Sequence, residues 1–145
     1  MRRAFQIDND SVVRRLRKRI GSGSWPLFIT YFINYNQMKE LIQSATFRKW
    51  FSNIRDKRTR TAIISRLFRL AAGLPGDVAA VGEGISELRI HYGPGYRIYY
   101  RQQKNEIILI ACGGTKRSQL HDIAMAKILI KTWEEQEDEW NIYDL

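Results

Sequence analysis

The sequence predicts an α+β domain in which two N-terminal helices pack on a small antiparallel sheet and a C-terminal helix follows. Three observations predict it. Ser86 to Arg101, SELRIHYGPGYRIYYR, reads as one β-hairpin; residues 47–72 carry apolar side chains at helical spacing; and residues 106–135 pass from a continuous apolar run into a second helical stretch.

The hairpin carries the functional argument. Glu87 to Tyr92 and Tyr96 to Arg101 alternate polar and apolar residues, and Gly93-Pro94-Gly95 supplies a three-residue loop. With Tyr92 opposite Tyr96, His91 faces Arg97, Arg89 faces Tyr99, Leu88 faces Tyr100 and Glu87 faces Arg101. One face, with Leu88, Ile90, Tyr92, Tyr96, Ile98 and Tyr100, is then expected on a core. The other holds Glu87, Arg89, His91, Arg97, Tyr99 and Arg101, a cationic surface with an aromatic ring inside it. A cross-strand ion pair between Arg101 and Glu87 is expected there.

Taken in order, residues 1–37 read as an extension outside the fold, 38–135 as the domain and 136–145 as an acidic, fraying tail. Basic residues before Trp25-Pro26-Leu27-Phe28-Ile29 resemble a secretory leader. The apolar part is interrupted, however, and no small-residue cleavage site follows, so Met38 is expected to be the working start. Lys39 to Gln43 suits an edge strand, with Ser44 or Thr46 as the cap of a first helix. In that helix Phe47, Trp50, Phe51 and Ile54 share a face. A second helix, 57–72, buries Ile63, Ile64, Leu67, Leu70 and Ala71, and Gly73 ends it. Its other side, with Arg58, Arg60, Arg66 and Arg69, reads as solvated.

Leu74-Pro75-Gly76-Asp77 is a turn, Val78 to Val81 a short strand, and Gly82-Glu83-Gly84 a second turn. Beyond the hairpin, Lys104-Asn105 is a turn into Glu106 to Cys112, a run without alternation and so a strand buried on both faces. A loop, Gly113 to Lys116, then leads into a helix over 118–135. Leu120, Ile123, Ala124, Ile128 and Trp133 are its expected packing residues.

Composition bounds the chemistry. The net charge is +9, but the last twelve residues hold six acids and no Lys or Arg, which leaves 24 basic against nine acidic residues over 1–133. That field favours polyanions such as nucleic acid, or belongs to a merely soluble basic protein. A single cysteine, Cys112, excludes an internal disulfide and suggests a reducing, cytoplasmic compartment. Two His and one Cys at wide spacing give no metal site of ordinary type, and no cofactor motif is present. No apolar run approaches the roughly 18–20 residues of a membrane span, so no membrane partner is expected.

Gly84-x-Ser86-Glu87-Leu88-Arg89, Gly93-Pro94-Gly95-Tyr96-Arg97-x-Tyr99-Tyr100, Gly113-Gly114-x-Lys116-x-Ser118-Gln119 and Asp122-Ile123-x-x-Ala126 together carry a resemblance. From about Met38 to Trp133 the chain resembles the RelE/HigB-like toxins, in particular the phage-derived addiction-module killer subgroup. Phe47-x-x-Trp50 and Arg66-Leu67-x-Arg69-Leu70-x-x-Gly73 fit the same pattern. The resemblance implies a RelE/ParE-like fold and the toxin half of a toxin–antitoxin pair. Such toxins are commonly endoribonucleases that cut mRNA on the ribosome and are silenced by a cognate antitoxin, here expected to be of helix-turn-helix type. It also implies catalytic roles for Arg89, His91, Arg97 and Lys116. A catalytic Tyr of some members aligns with His121 or Asp122 here.

RNA is cut without metal when its 2′-hydroxyl attacks the adjacent phosphate, which takes a base, a cationic cradle and an acid. Arg89 and Arg97 stay protonated and suit the cradle; His91 is the first choice for base, and Lys116 for acid or a further phosphate clamp. Tyr99 is expected to stack on a base, with Arg101, His121 and Asp122 as further RNA contacts. Two rival readings stand beside this one: a gyrase-poisoning toxin of the same fold, and a non-enzymatic phage protein that binds nucleic acid or a host factor.

Overall fold

The structure is a computed structural model and describes residues 38–103, 106–135 and 140–142. The expected extension over 1–37 and the turn at Lys104-Asn105 lie outside the described residues.

The domain is an α+β fold with a mixed sheet and a C-terminal helix. Strand β1 (Glu40–Ser44) comes first, followed by helices α1 (Ala45–Ser52) and α2 (Lys57–Ala71). Strands β2 (Val78–Gly82), β3 (Ile85–Ile90), β4 (Tyr96–Gln103) and β5 (Ile107–Thr115) form an antiparallel run. A 3₁₀ turn (Lys116–Ser118) then leads into α3 (Gln119–Glu135), and β6 is Trp140–Ile142. The sheet order is β2-β3-β4-β5-β1-β6.

Two expectations about the sheet change. It is mixed rather than antiparallel, because β1 pairs parallel to β5, with Glu40 opposite Ile107 and Gln43 opposite Ile110. A strand precedes both helices as expected, but β1 is an inner strand rather than an edge. Its other side is taken by β6, antiparallel, inside the stretch expected to be a tail. The backbone groups of an otherwise open edge at β1 account for that pairing.

The helix starts follow from short polar side chains. Ser44 caps α1: its Oγ accepts from the Phe47 N–H at 3.0 Å and donates to the Ala111 carbonyl, which ties the helix start to β5. Asp56 caps α2 by accepting from the Thr59 N–H at 2.9 Å and the Thr59 hydroxyl at 2.7 Å. Ser44→Ala is expected to cost about 1 kcal/mol in urea unfolding, with the m-value unchanged.

The sheet separates two cores. On one face Phe47, Phe51, Ile63, Leu67 and Phe68 of α1 and α2 pack against Leu88, Ile90, Ile98, Tyr100, Ile108 and Ile110. On the other, Ala126, Ile130 and Trp133 of α3 pack against Ile85, Tyr99, Leu109, Ala111 and Cys112. β5 is accordingly buried from Ile108 to Gly114, and it takes in Gly113 and Gly114, which were expected in a loop. The register of β5 against β4 slips between Tyr99 and Tyr100, which pair with Cys112 and Ile110, so Ala111 and Cys112 both join the α3 side.

The packing face of α3 differs in part from expectation: Trp133 is buried and Ile123 packs against the same core as expected, but Ala124 is exposed. Asp122, Ala126, Ile130 and Trp133 are its buried residues, whereas Leu120 and Ile128 are 85% and 61% exposed. Apolar residues lie all round this helix, so periodicity did not single out one stripe. Among the described residues no helix is long and apolar enough to cross a membrane.

Candidate functional site

Strand β3 ends two residues earlier than its sequence suggests, while β4 starts at Tyr96 as expected. Ile90 pairs with Tyr96, Arg89 with Arg97, Leu88 with Ile98 and Glu87 with Tyr99. The loop is therefore His91 to Gly95, five residues, closed by a Gly95 N–H to Tyr92 carbonyl bond of 3.1 Å. Gly93 and Gly95 supply positive φ of 54° and 79° within it. The register moves by two residues from the expected one, and an even shift leaves every side chain on its face. Leu88, Ile90, Tyr96, Ile98 and Tyr100 reach the core as expected, while Tyr92 lies in the loop and is exposed.

The opposite face is not an open cationic surface, because α3 covers it. Tyr99 and Glu87 are both 0% exposed. Tyr99 thus has no ring face available for base stacking, and burial together with its bond to Glu87 pushes its phenol well above the ordinary range. Glu87 is the centre of the cluster. Its Oε1 accepts from Arg97 Nη1 at 2.6 Å and Arg89 Nε at 2.9 Å; its Oε2 accepts from Gln119 Nε2 at 2.8 Å and the Tyr99 hydroxyl at 3.0 Å. Burial alone would raise its pKa, but the bonds from Arg89, Gln119 and Tyr99 and the charge of Arg97 outweigh it and hold the carboxyl below its ordinary value. The carboxylate is charged, buried and four times hydrogen-bonded.

The other predicted residues are distributed as follows. His91 does not face Arg97; its Nε2 lies 2.6 Å from Asp77 Oδ2 in the turn before β2. Asp77 also accepts from the Arg89 N–H through its carbonyl at 3.0 Å and sits 3.7 Å from Arg89 Nη1. Arg66 of α2 donates to the Arg89 carbonyl at 3.2 Å, which fixes this corner from the other side of the sheet. Lys116 is exposed, and its backbone N–H donates to the Gly95 carbonyl at 3.1 Å, joining the hairpin loop to the start of the 3₁₀ turn.

Arg101 pairs with Glu134 at 2.5 Å rather than with Glu87, which lies two pairs further along in the actual register. Asp122 is buried and accepts from Ser118 Oγ at 2.5 Å, so its carboxylate serves the start of α3. His121 is mostly exposed, 3.5 Å from Asp122. Backbone pairing therefore brings Arg89, His91, Arg97 and Lys116 to one end of β3, β4 and β5, and leaves Arg101 apart from them, beside Glu134 at the far end of α3.

No family model matches the chain, and no solved structure matches it. Over 84 residues it is 42% identical to a Haemophilus influenzae protein whose name reads "Uncharacterized protein", an alignment that takes in 58% of this chain and 85% of that one. The chain belongs to that protein's family. What a member of this family can do chemically is therefore read from the cluster itself.

Two guanidinium groups are held at the sheet end by one carboxylate, each through a single nitrogen, with further N–H donors on each directed elsewhere. A carboxylate accepts and does not donate, so in the His91–Asp77 contact Nε2 of the imidazole is the donor. Sequence reasoning placed Glu87 on this face but paired it with Arg101, and it missed Gln119 and Asp77 as members of the cluster. The signal was present in Ala126, Ile130 and Trp133: a helix this apolar must cover a sheet face, and α1 and α2 already cover the other.

Among the described residues no three His, Cys, Asp or Glu side chains come together as metal ligands. Cys112 is buried and donates to the Asp122 carbonyl at 3.2 Å; burial pushes its thiol up to about 12.

Proposed function

We propose that this chain is the toxin half of a type II toxin–antitoxin pair. In this reading it is a RelE/ParE-like domain that cuts mRNA on the ribosome without metal or cofactor and thereby inhibits translation in the cytoplasm. The observation that carries the reading is the gathering of Arg89, His91, Arg97 and Lys116 at one end of the sheet. Arg97 and Arg89 form the cradle for the growing phosphorane charge. His91 Nδ1 takes the 2′-hydroxyl proton, with Asp77 holding the ring. Lys116, exposed beside the hairpin loop, clamps phosphate or protonates the leaving 5′-oxygen. The natural inhibitor is a cognate antitoxin of helix-turn-helix type.

A different observation favours the non-enzymatic reading, a phage-derived protein that binds nucleic acid or a host factor. Both arginines and His91 already face carboxylates, which reduces the charge they offer to RNA. One experiment separates the two. The chain, Arg89→Lys and Arg97→Lys are expressed, and cellular mRNA is mapped by primer extension. The nuclease reading expects growth arrest with new cuts in translated frames and a loss of about 10²-fold in each variant, because a lysine cannot keep the forked geometry. Arrest with full activity in both variants sinks it. Arrest without cuts in the parent chain points instead to a gyrase poison.

A further inference from the structure

The four hydrogen bonds on Glu87 carry one inference beyond this, and it rests on the nuclease reading. We propose that Glu87 is the positioning residue of the arginine cradle, with Gln119 and Tyr99 as the groups that hold Glu87 itself. The geometry divides the carboxylate in two. Oε1 holds Arg97 and Arg89, while Oε2 is taken by Tyr99 from β4 and Gln119 from the first turn of α3.

The orientation of both guanidinium groups is thus set from beneath the sheet surface by a group that substrate cannot touch. Glu87 is fully buried, whereas the Arg97 and Arg89 side chains are 15% and 38% exposed. Arg97 depends on this contact most, since its Nε is buried without a hydrogen-bond partner among the described residues. Gln119 gives the device its reach: it carries the position of α3 directly to Oε2, so the approach of the last helix to the sheet decides where the cradle stands.

A carboxylate that merely stabilised the fold would lower the amount of active protein. A positioning carboxylate acts on turnover through Arg97 and Arg89, and matters less once Arg97 is gone. The test is a double-mutant cycle on single-turnover cleavage of a defined mRNA on programmed ribosomes. It uses the full chain, Glu87→Gln, Gln119→Leu, Arg97→Ala and the two doubles with Arg97→Ala. Gln119→Leu keeps the buried charge and its arginine partners, and so stands as the variant that folds if Glu87→Gln does not.

The expected result is a fall in the cleavage rate of about tenfold for Gln119→Leu and more for Glu87→Gln, with half-saturating ribosome concentration little changed. Each should lose clearly less in the Arg97→Ala background, where Arg89 alone is left for the carboxylate to place. Equal losses with and without Arg97 overturn the positioning role and leave the nuclease reading standing. Absence of cleavage by the parent chain overturns that reading, and this inference with it.

Discussion

Glu87→Ala is expected to destabilise the domain by about 3–5 kcal/mol, a large part of what a domain of this size has. The loss has two sources. Arg97, only 15% exposed, keeps its charge without the carboxylate that neutralises it, and the Tyr99 hydroxyl and Gln119 amide lose their acceptor where water does not reach Tyr99. Urea unfolding at neutral pH measures it directly.

The pH dependence has a definite sign. Folding holds the Glu87 carboxyl below its ordinary value of 4.5, so its contribution is fully present above that value and is lost as pH falls through the lower, folded one. The stability gap between the parent chain and Glu87→Gln is therefore expected to narrow on acidification below about pH 4.5. A gap that widened there would show that the carboxyl is held neutral in the fold.

The second large effect is expected at Gly113 and Gly114. A Cβ on Gly113 would enter the ring of Trp50 from α1, and one on Gly114 would overlap the Asp122 carboxylate and the Ser118 hydroxyl from the start of α3. Neither obstacle can yield freely. The Trp50 ring is held edge-on to Tyr96 at 6.2 Å and tilted against Phe47 at 5.8 Å, while Asp122 is held by Ser118 at 2.5 Å. Gly113→Ala and Gly114→Ala are each expected to cost about 1–3 kcal/mol, or more where the backbone must shift. Gly114→Ala should in addition displace α3 and so disturb Gln119. Thermal unfolding checks the first statement, and the amide resonances of residues 116–122 check the second.

The local pattern made much of this domain legible. Helix faces at Phe47, Phe51, Ile63 and Leu67, and the core face at Leu88, Ile90, Ile98 and Tyr100, follow from periods of 3.6 and 2. Even the error in hairpin register did no harm to those faces. What stayed hidden was cover. Nothing near Glu87 or Tyr99 says that a helix twenty or more positions downstream will lie over them, and α3 is apolar at Leu120, Ile123 and Ile128 as well as at Ala126 and Ile130. The same limit applies to β1, whose neighbours both arrive from the far end of the domain. It applies to His91 too, whose partner Asp77 sits in a turn that reads only as a turn.

The placement of β1 has a consequence for synthesis. Both strands that flank it are made later, and the bond from Ser44 to Ala111 spans 67 residues. Pairing so distant in the chain is slow to nucleate, and it cannot begin on the ribosome until β5 has left the exit tunnel. Glu87 and Arg97 are translated well before then, yet Gln119, which completes their network, follows β5 directly. A nascent chain of this protein therefore carries the arginines long before it carries the arrangement that orients them, and the cluster comes together only as the last helix emerges.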